Sequence, residues 1–289
     1  MQGVIIKGVG GLYFVKVEDR VIECKARGKF RYTGLVPVIG DRVEIMLETD
    51  VNKGVIEKIF TRDTEMVRPA VANVTQAFVV FAFKKPDLNM DLLNKFLVLC
   101  EHYGLKIVLC LNKLDLVDKI DEDLIKELKS VGCDIVFLKA KEGDGLCELK
   151  TKIKDNITVF CGPSGVGKST ILNSLLGREA MKTGDISKKS QKGKHTTRHS
   201  ELIEYEEGFL LDTPGFSALS LDFIEKEKLQ DCFPEFEKHR CECRFSNCMH
   251  YKEPNCSVKE AVEANEIYTD RYNFYVKTLE EIIARGNKK

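Results

Sequence analysis

The stretch GPSGVGKST at 162–170 decides how this chain is read. It fits the pattern G-x-x-x-x-G-K-S. It follows the apolar run ITVFC and precedes the helical KSTILNSLLG, the strand, loop and helix context a phosphate-binding loop requires. Glycines at 162, 165 and 167 let backbone N–H groups converge on phosphate oxygens with no side chain in the way. Lys168 reaches toward β- and γ-phosphates, the Ser169 hydroxyl suits Mg²⁺, and the following helix N-terminus favours anions. Expected contacts therefore run through Gly162, Pro163, Ser164, Gly165, Val166, Gly167, Lys168, Ser169 and Thr170.

Upstream of the loop, NKLD at 112–115 follows the buried-strand pattern LKIVLCL, at the strand end where ligands of parallel sheets sit. Asp115 would accept hydrogen bonds from N1–H and the 2-amino group of guanine. Adenine offers neither donor, so a buried carboxylate facing it would go unpaired. Asn112 is expected at the purine edge, the Lys113 stem over the ring, and Leu114 within the same turn. Downstream, LLDTPGF at 210–216 places Asp212 at a strand end, as the Mg²⁺-hydration acid, and the Gly215 N–H as a sensor of the γ-phosphate. Between them GKHTTRH at 193–199 offers threonine hydroxyls for Mg²⁺, Thr197 first and Thr196 second. In an ordinary guanine-nucleotide switch protein the phosphate loop comes first. Here the base reader precedes it. A parallel sheet cut at one loop and rejoined at its old termini keeps its neighbours, so the order predicts a circularly permuted domain.

Working outward, strand-like and helical runs alternate from about residue 76: QAFVVFAF, NMDLLNKFLVLCEHYG, LKIVLCLN, DEDLIKELKSVG, CDIVFLKA, GLCELKTKI and ITVFC. Such alternation predicts an α/β unit with helices on both faces of a parallel sheet. Before it, five short alternating runs between Val4 and Ile59 predict a small closed barrel. The OB type is preferred to an SH3-like barrel, and its face commonly binds oligonucleotides. After residue 220 the chain turns helical and cysteine-rich. SVKE at 257–260 predicts a capping box opening a helix with Ile267, Tyr268, Arg271, Tyr272, Tyr275 and Leu279 on one packing stripe. The expected division is 1–65 barrel, 66–220 permuted nucleotide-binding domain and 221–289 metal-binding helical domain.

The 289 residues are 43% hydrophobic and 31% charged, a globular composition, with no apolar run long enough to span a bilayer. The N-terminus lacks signal-peptide regions, which predicts a cytosolic protein. Net charge is zero. Local basic runs are the candidate RNA contacts: Lys25, Arg27, Lys29 and Arg31, then Lys188, Lys189, Lys192 and Lys194 in a segment where Asp185 is the one acid. Of the eleven cysteines, Cys24, Cys100, Cys110, Cys133, Cys147 and Cys161 are expected as small buried hydrophobes of a reduced compartment. Cys241, Cys243, Cys248 and Cys256 crowd into sixteen residues with His250. Three thiolates and one imidazole make a closed tetrahedral set for structural zinc, with Cys241 competing with Cys243 for one position.

Together these motifs make the chain resemble, over essentially its whole length, the ribosome small-subunit-dependent GTPases of the RsgA (YjeQ) type. That resemblance implies an N-terminal OB barrel, a permuted GTPase domain and a C-terminal zinc domain. It also implies GTP and Mg²⁺ as ligands and a monomer that binds the small ribosomal subunit and its rRNA late in maturation. The subunit is implied to stimulate GTP hydrolysis. For the metal it implies Cys243, Cys248, His250 and Cys256. Two departures stand out. Many GTPases have Ser-Ala-Lys in the second base-contact loop, where this chain has Lys139-Ala140-Lys141; Ala140 and Lys141 still fit. Many carry Gln after D-x-x-G, and here Phe216 stands there. His195 is the nearest candidate to orient water, beside Lys168 and Gly215 as catalytic candidates. An RNA-binding module that holds nucleotide without partner-stimulated turnover is the alternative. A P-loop ATPase is disfavoured by NKLD.

Overall fold

The computed structural model describes residues 1–30, 34–67, 69–177, 201–212 and 220–286. It divides into two compact units. One comprises Met1–Phe78, Ala140–Cys161 and Gly167–Ser217; the other comprises Val79–Lys139, Gly162–Val166 and Ala218–Lys289.

In the first unit β1 (Gln2–Val9), β2 (Leu12–Val17), β3 (Arg20–Ala26), β4 (Arg42–Leu47) and β5 (Lys53–Ile59) pair in the order β1-β2-β3-β5-β4. Pairing of β1 with β4, Gly3 opposite Val43, closes the ring, and β3 runs parallel to β5. This is the five-stranded arrangement of an OB barrel. Alternation drives it: along β4, Val43 and Ile45 point inward while Arg42 and Glu44 face out. Ile5, Val15, Ile22, Val43, Ile45 and Ile56 form the core. Asp41 is wholly buried and held by Arg62, whose Nε donates at 2.7 Å, and by the Val38 N–H at 2.7 Å. The guanidinium pairing with Asp41 raises the Arg62 pKa further. A short hairpin of β6 (Glu65–Val67) and β7 (Ala70–Ala72) follows.

The same unit holds β11 (Ile157–Cys161), parallel to β13 (Gly208–Asp212), which pairs antiparallel with β12 (Glu201–Tyr205). Lys7 of β1 sits opposite Glu201 of β12, and their side chains pair at 2.8 Å. The strand β8 (Gln76–Ala82), of which Gln76, Ala77 and Phe78 belong to this unit, is buried at every residue, as a strand covered on both faces should be. At its start Gln76 Nε2 donates to Thr158 Oγ1 at 3.0 Å and Phe78 meets Phe160 edge-on. The helices α3 (Leu146–Ile153) and α4 (Lys168–Leu176) complete this unit.

In the second unit α1 (Met90–His102) is capped by Asn89, whose side chain accepts from Leu92 N at 2.9 Å, and buries Leu93, Phe96, Leu97 and Cys100. The strand β9 (Lys106–Asn112) runs parallel to β10 (Asp134–Phe137), with α2 (Glu122–Ser130) between them in sequence. The remainder is helical: α5 (Glu237–Arg240), α6 (Ser257–Glu263) and α7 (Thr269–Gly286).

Three expectations are corrected. No capping box forms, because Cys256 occupies the N-cap without a side-chain cap bond and Ser257 is already helical. The single helix expected after it is two, interrupted where Asn265 adopts a left-handed φ of 60°. Of the scattered cysteines, Cys24, Cys100, Cys110 and Cys161 are buried, but Cys133 is half-buried and Cys147 exposed. Among the described residues no helix is long and apolar enough to cross a membrane.

Candidate functional site

The phosphate-loop segment begins where β11 ends at Cys161 and runs without a break into α4. Its glycines take positive φ: 133° at Gly162, 81° at Gly165 and 106° at Gly167. A side chain at 162 would also collide with the Val80 carbonyl oxygen, 2.1 Å from the position of its Cβ, so this glycine is required twice over. Val166 is buried, Ser164 and Gly165 are exposed, and Gly162, Pro163, Gly167, Lys168, Ser169 and Thr170 are half-buried. The helix behind the loop is anchored by buried Ile171, Leu172 and Leu175. Burial lowers the Lys168 pKa, the expected condition of an ammonium held in a confined site that an anion would compensate.

The base-reading motif starts at the carboxyl end of β9. Asn112 is buried and its Nδ2 donates to the Val166 carbonyl at 2.9 Å, so the base reader and the phosphate loop share a hydrogen bond. Lys113 takes a left-handed φ of 62° and its ammonium donates to the Lys85 carbonyl. Leu114 N–H donates to Leu138 O at 3.2 Å. Leu114 is half-buried within the 3₁₀ turn Leu114–Leu116, and Asp115 is exposed on it. In the second base-contact segment Lys139 is half-buried and Lys141 exposed, while buried Ala140 accepts from Ser174 Oγ at 3.2 Å. Asp212 ends β13. His195, Thr196, Thr197, Gly215 and Phe216 lie outside the described residues, as do Arg31, Lys188, Lys189, Lys192 and Lys194. Lys25, Arg27 and Lys29 are exposed, but Arg27 is paired with Glu57 and Lys29 lies 5.3 Å from the Phe30 ring.

The second constellation is the Cys/His cluster. Ligand atoms of Cys243, Cys248, His250 and Cys256 all lie within 4.8 Å of one another. Cys243 Sγ is 3.8 Å from Cys256 Sγ, and His250 Nδ1 is 3.5 and 3.4 Å from those two sulfurs. Tetrahedral zinc with Zn–S near 2.3 Å and Zn–N near 2.0 Å needs edges of about 3.8 and 3.5 Å, so the donor set fits that ion. The alternative donor Cys241 is exposed and outside this group. Burial pushes the Cys248 thiol up to about 12, raises Cys256 and lowers His250; a divalent cation would reverse the thiol shifts.

Sequence reasoning missed the supports of the Cys/His cluster. His250 Nε2–H donates to Gln230 Oε1 at 2.9 Å, which aims Nδ1 at the sulfurs. Gln230 lies twenty residues upstream with no motif around it. Tyr272 and Tyr275, read as packing, also donate hydroxyls to the carbonyls of His250 and Met249, at 2.8 and 2.6 Å.

The model of the RsgA GTPase family matches residues 59–222, and that of the RsgA N-terminal domain residues 2–56. The chain is 59% identical to a Clostridium botulinum protein named small ribosomal subunit biogenesis GTPase RsgA, covering all of both chains. It is 58% identical to the Clostridium novyi protein of that name, again over both full lengths. Among solved structures it resembles YloQ, described as a circularly permuted GTPase, at TM-score 0.85 and 36% identity, covering 98% of this chain and 95% of that one. YjeQ from Thermotoga maritima follows at 0.84 and 37%, covering 98% of each chain. With base reader, phosphate loop and strand-end acid in permuted order on one chain, and these relatives along its full length, the chain belongs to the RsgA GTPase family.

Proposed function

We propose that this protein binds the small ribosomal subunit late in its maturation and hydrolyses GTP to GDP and phosphate, with stimulation by the subunit. The observation that carries the nucleotide half is the bond from Asn112 Nδ2 to the Val166 carbonyl, which supports a common role for the two motifs by tying the first residue of NKLD to the phosphate-loop segment. The subunit half rests on the relatives that match end to end, which are named small ribosomal subunit biogenesis GTPases.

In this reading Asp115 accepts from guanine N1–H and the 2-amino group, Asn112 and the Lys113 stem frame the purine, and Ala140 and Lys141 complete the base contacts. Backbone N–H groups of 162–170 hold the α- and β-phosphates, and the Lys168 ammonium reaches the β- and γ-phosphates. Ser169, Thr197 and Asp212 serve Mg²⁺, directly or through its hydration shell. When bound, that ion neutralises charge developing on the β–γ bridge. A water attacks the γ-phosphorus, the bond to the bridging oxygen breaks, and GDP and phosphate leave. The Gly215 N–H meets the γ-phosphate. Phe216 can neither donate nor accept, so water orientation falls to His195, or to a group the subunit supplies.

Cys243, Cys248, His250 and Cys256 hold one structural zinc, leaving no open position for substrate. The domain division 1–65, 66–220 and 221–289, a cytoplasmic location, a monomeric state and rRNA contacts by Lys25, Arg27, Lys29, Arg31, Lys188, Lys189, Lys192 and Lys194 belong to the same proposal. GTP turnover by the purified protein, alone and with purified small subunits, is the test. A rise of about tenfold or more, some 1.4 kcal/mol of barrier, is expected. Unchanged turnover with GTP binding intact would favour a nucleotide-regulated RNA-binding module instead.

A further inference from the structure

The loop that carries the Cys/His cluster presents two rings, each with a cation over it. The Arg244 guanidinium lies 5.6 Å from the Phe245 centroid, and Lys252 Nζ lies 4.8 Å from the Tyr251 centroid. Phe245 is 44% exposed. Phe223, an exposed phenylalanine elsewhere, is flanked by the rings of His102 and Tyr103 at 5.1 and 6.2 Å. Phe245 instead projects from the interval between Cys243 and Cys248. From Cys241 to Lys252 the formal charges are Arg244 and Lys252 against Glu242.

The backbone beneath both rings is pinned. Cys248 N–H closes a turn onto the Phe245 carbonyl at 3.1 Å. The Glu253 carboxylate accepts from Met249 N and Tyr251 N at 3.0 and 2.9 Å, and Tyr272 and Tyr275 hold the carbonyls between. An apolar ring held outward on a fixed loop, with cations beside it, has the makings of a stacking platform. Unpaired bases stack on aromatic faces, and neighbouring basic side chains meet the flanking phosphates. Pre-ordering of the loop lowers the entropy lost on binding.

We propose that Phe245, with Arg244 and Lys252, grips an unpaired nucleobase and its flanking phosphates in single-stranded RNA. The proposal rests on the reading that this protein works on the small ribosomal subunit, and it names the RNA feature its metal-binding loop takes.

The test uses the full-length protein and a short fluorescein-labelled single-stranded RNA of mixed sequence, read by anisotropy, with subunit binding measured in parallel. Zinc content and melting temperature identify any variant that fails to fold. Phe245→Ala should weaken oligonucleotide binding by roughly 5- to 150-fold. Phe245→Tyr should bind like the unaltered protein, and Phe245→Leu should fail like alanine, because stacking needs a flat ring and not mere apolarity. Arg244→Ala should lower the salt slope of binding by about one. Unchanged oligonucleotide binding in folded Phe245→Ala and Arg244→Ala proteins would overturn the proposal. So would weakened subunit binding with unchanged oligonucleotide binding, which would assign Phe245 to a ribosomal protein. Turnover of the unaltered protein with subunits is recorded alongside. Its failure to rise, with the Phe245 effect on RNA present, would remove the subunit-stimulated reading and leave the RNA contact of Phe245 standing.

Discussion

In the barrel Ile5, Val15, Val43 and Ile56 are entirely shielded from water, and strand ladders close around them. Between Cys241 and Cys256 the buried residues are Cys248, His250 and Cys256, all of them candidate metal ligands. One region is ordered by apolar burial around a ring of strands. The other has almost no apolar interior of its own and relies on a donor cluster and the hydroxyls of Tyr272 and Tyr275 behind it, and the helix α7 that supplies those hydroxyls is anchored by a buried charge. That charge is Arg271 on α7. Its Nε donates to Glu235 Oε1 at 2.6 Å, its Nη1 to Asn94 Oδ1 at 2.9 Å, and its guanidinium lies 4.4 Å from the Phe233 centroid. Order bought by few polar contacts is concentrated, so single changes there should cost more than single changes in the barrel.

The largest effect expected is from metal removal. Apparent binding free energies of structural zinc are about 10–16 kcal/mol, so a chelator should release residues 241–256 while the barrel persists. Hydrogen exchange would read it as protection lost in that loop and retained in β1–β5. Loss in both regions together would break the contrast.

Next comes Arg271→Met. The Arg271 and Glu235 side chains are 2% and 7% exposed, and stranding the carboxylate should cost about 3–5 kcal/mol by denaturant titration. The double change with Glu235→Gln should recover much of that. A loss below about 1 kcal/mol for the single change would mean the pair is no keystone. Smallest is Ile56→Val in the barrel, expected to cost about 0.5–1.5 kcal/mol because its neighbours share the load.

Much of this was legible in the sequence because it is local. Glycine spacing at 162, 165 and 167 demanded the backbone angles observed, and alternation along the first five strands set the barrel's inner face. The Cys/His spacing likewise brought four donors together. What escaped depends on partners distant in the chain. Gln230 on His250, Arg62 on Asp41 and Asn94 on Arg271 leave no periodic signal. The break between α6 and α7 escaped for a different reason. The stripe of apolar and tyrosine positions continues through it, and only the left-handed Asn265 interrupts the helix.

NKLD and GPSGVGKST, reversed in order along the chain, are proposed to serve one guanine nucleotide. Nucleotide selectivity of the unaltered protein and of Asp115→Asn tests it most directly. A carboxylate at 115 would accept from guanine N1–H and the 2-amino group; an amide would donate to O2 of xanthine instead. Asp115→Asn is expected to lose GTP affinity by roughly 10⁴-fold, as sites built for hydrogen-bond donors do when the match is lost, and to gain XTP binding. GTP binding unaffected by that change would contradict it.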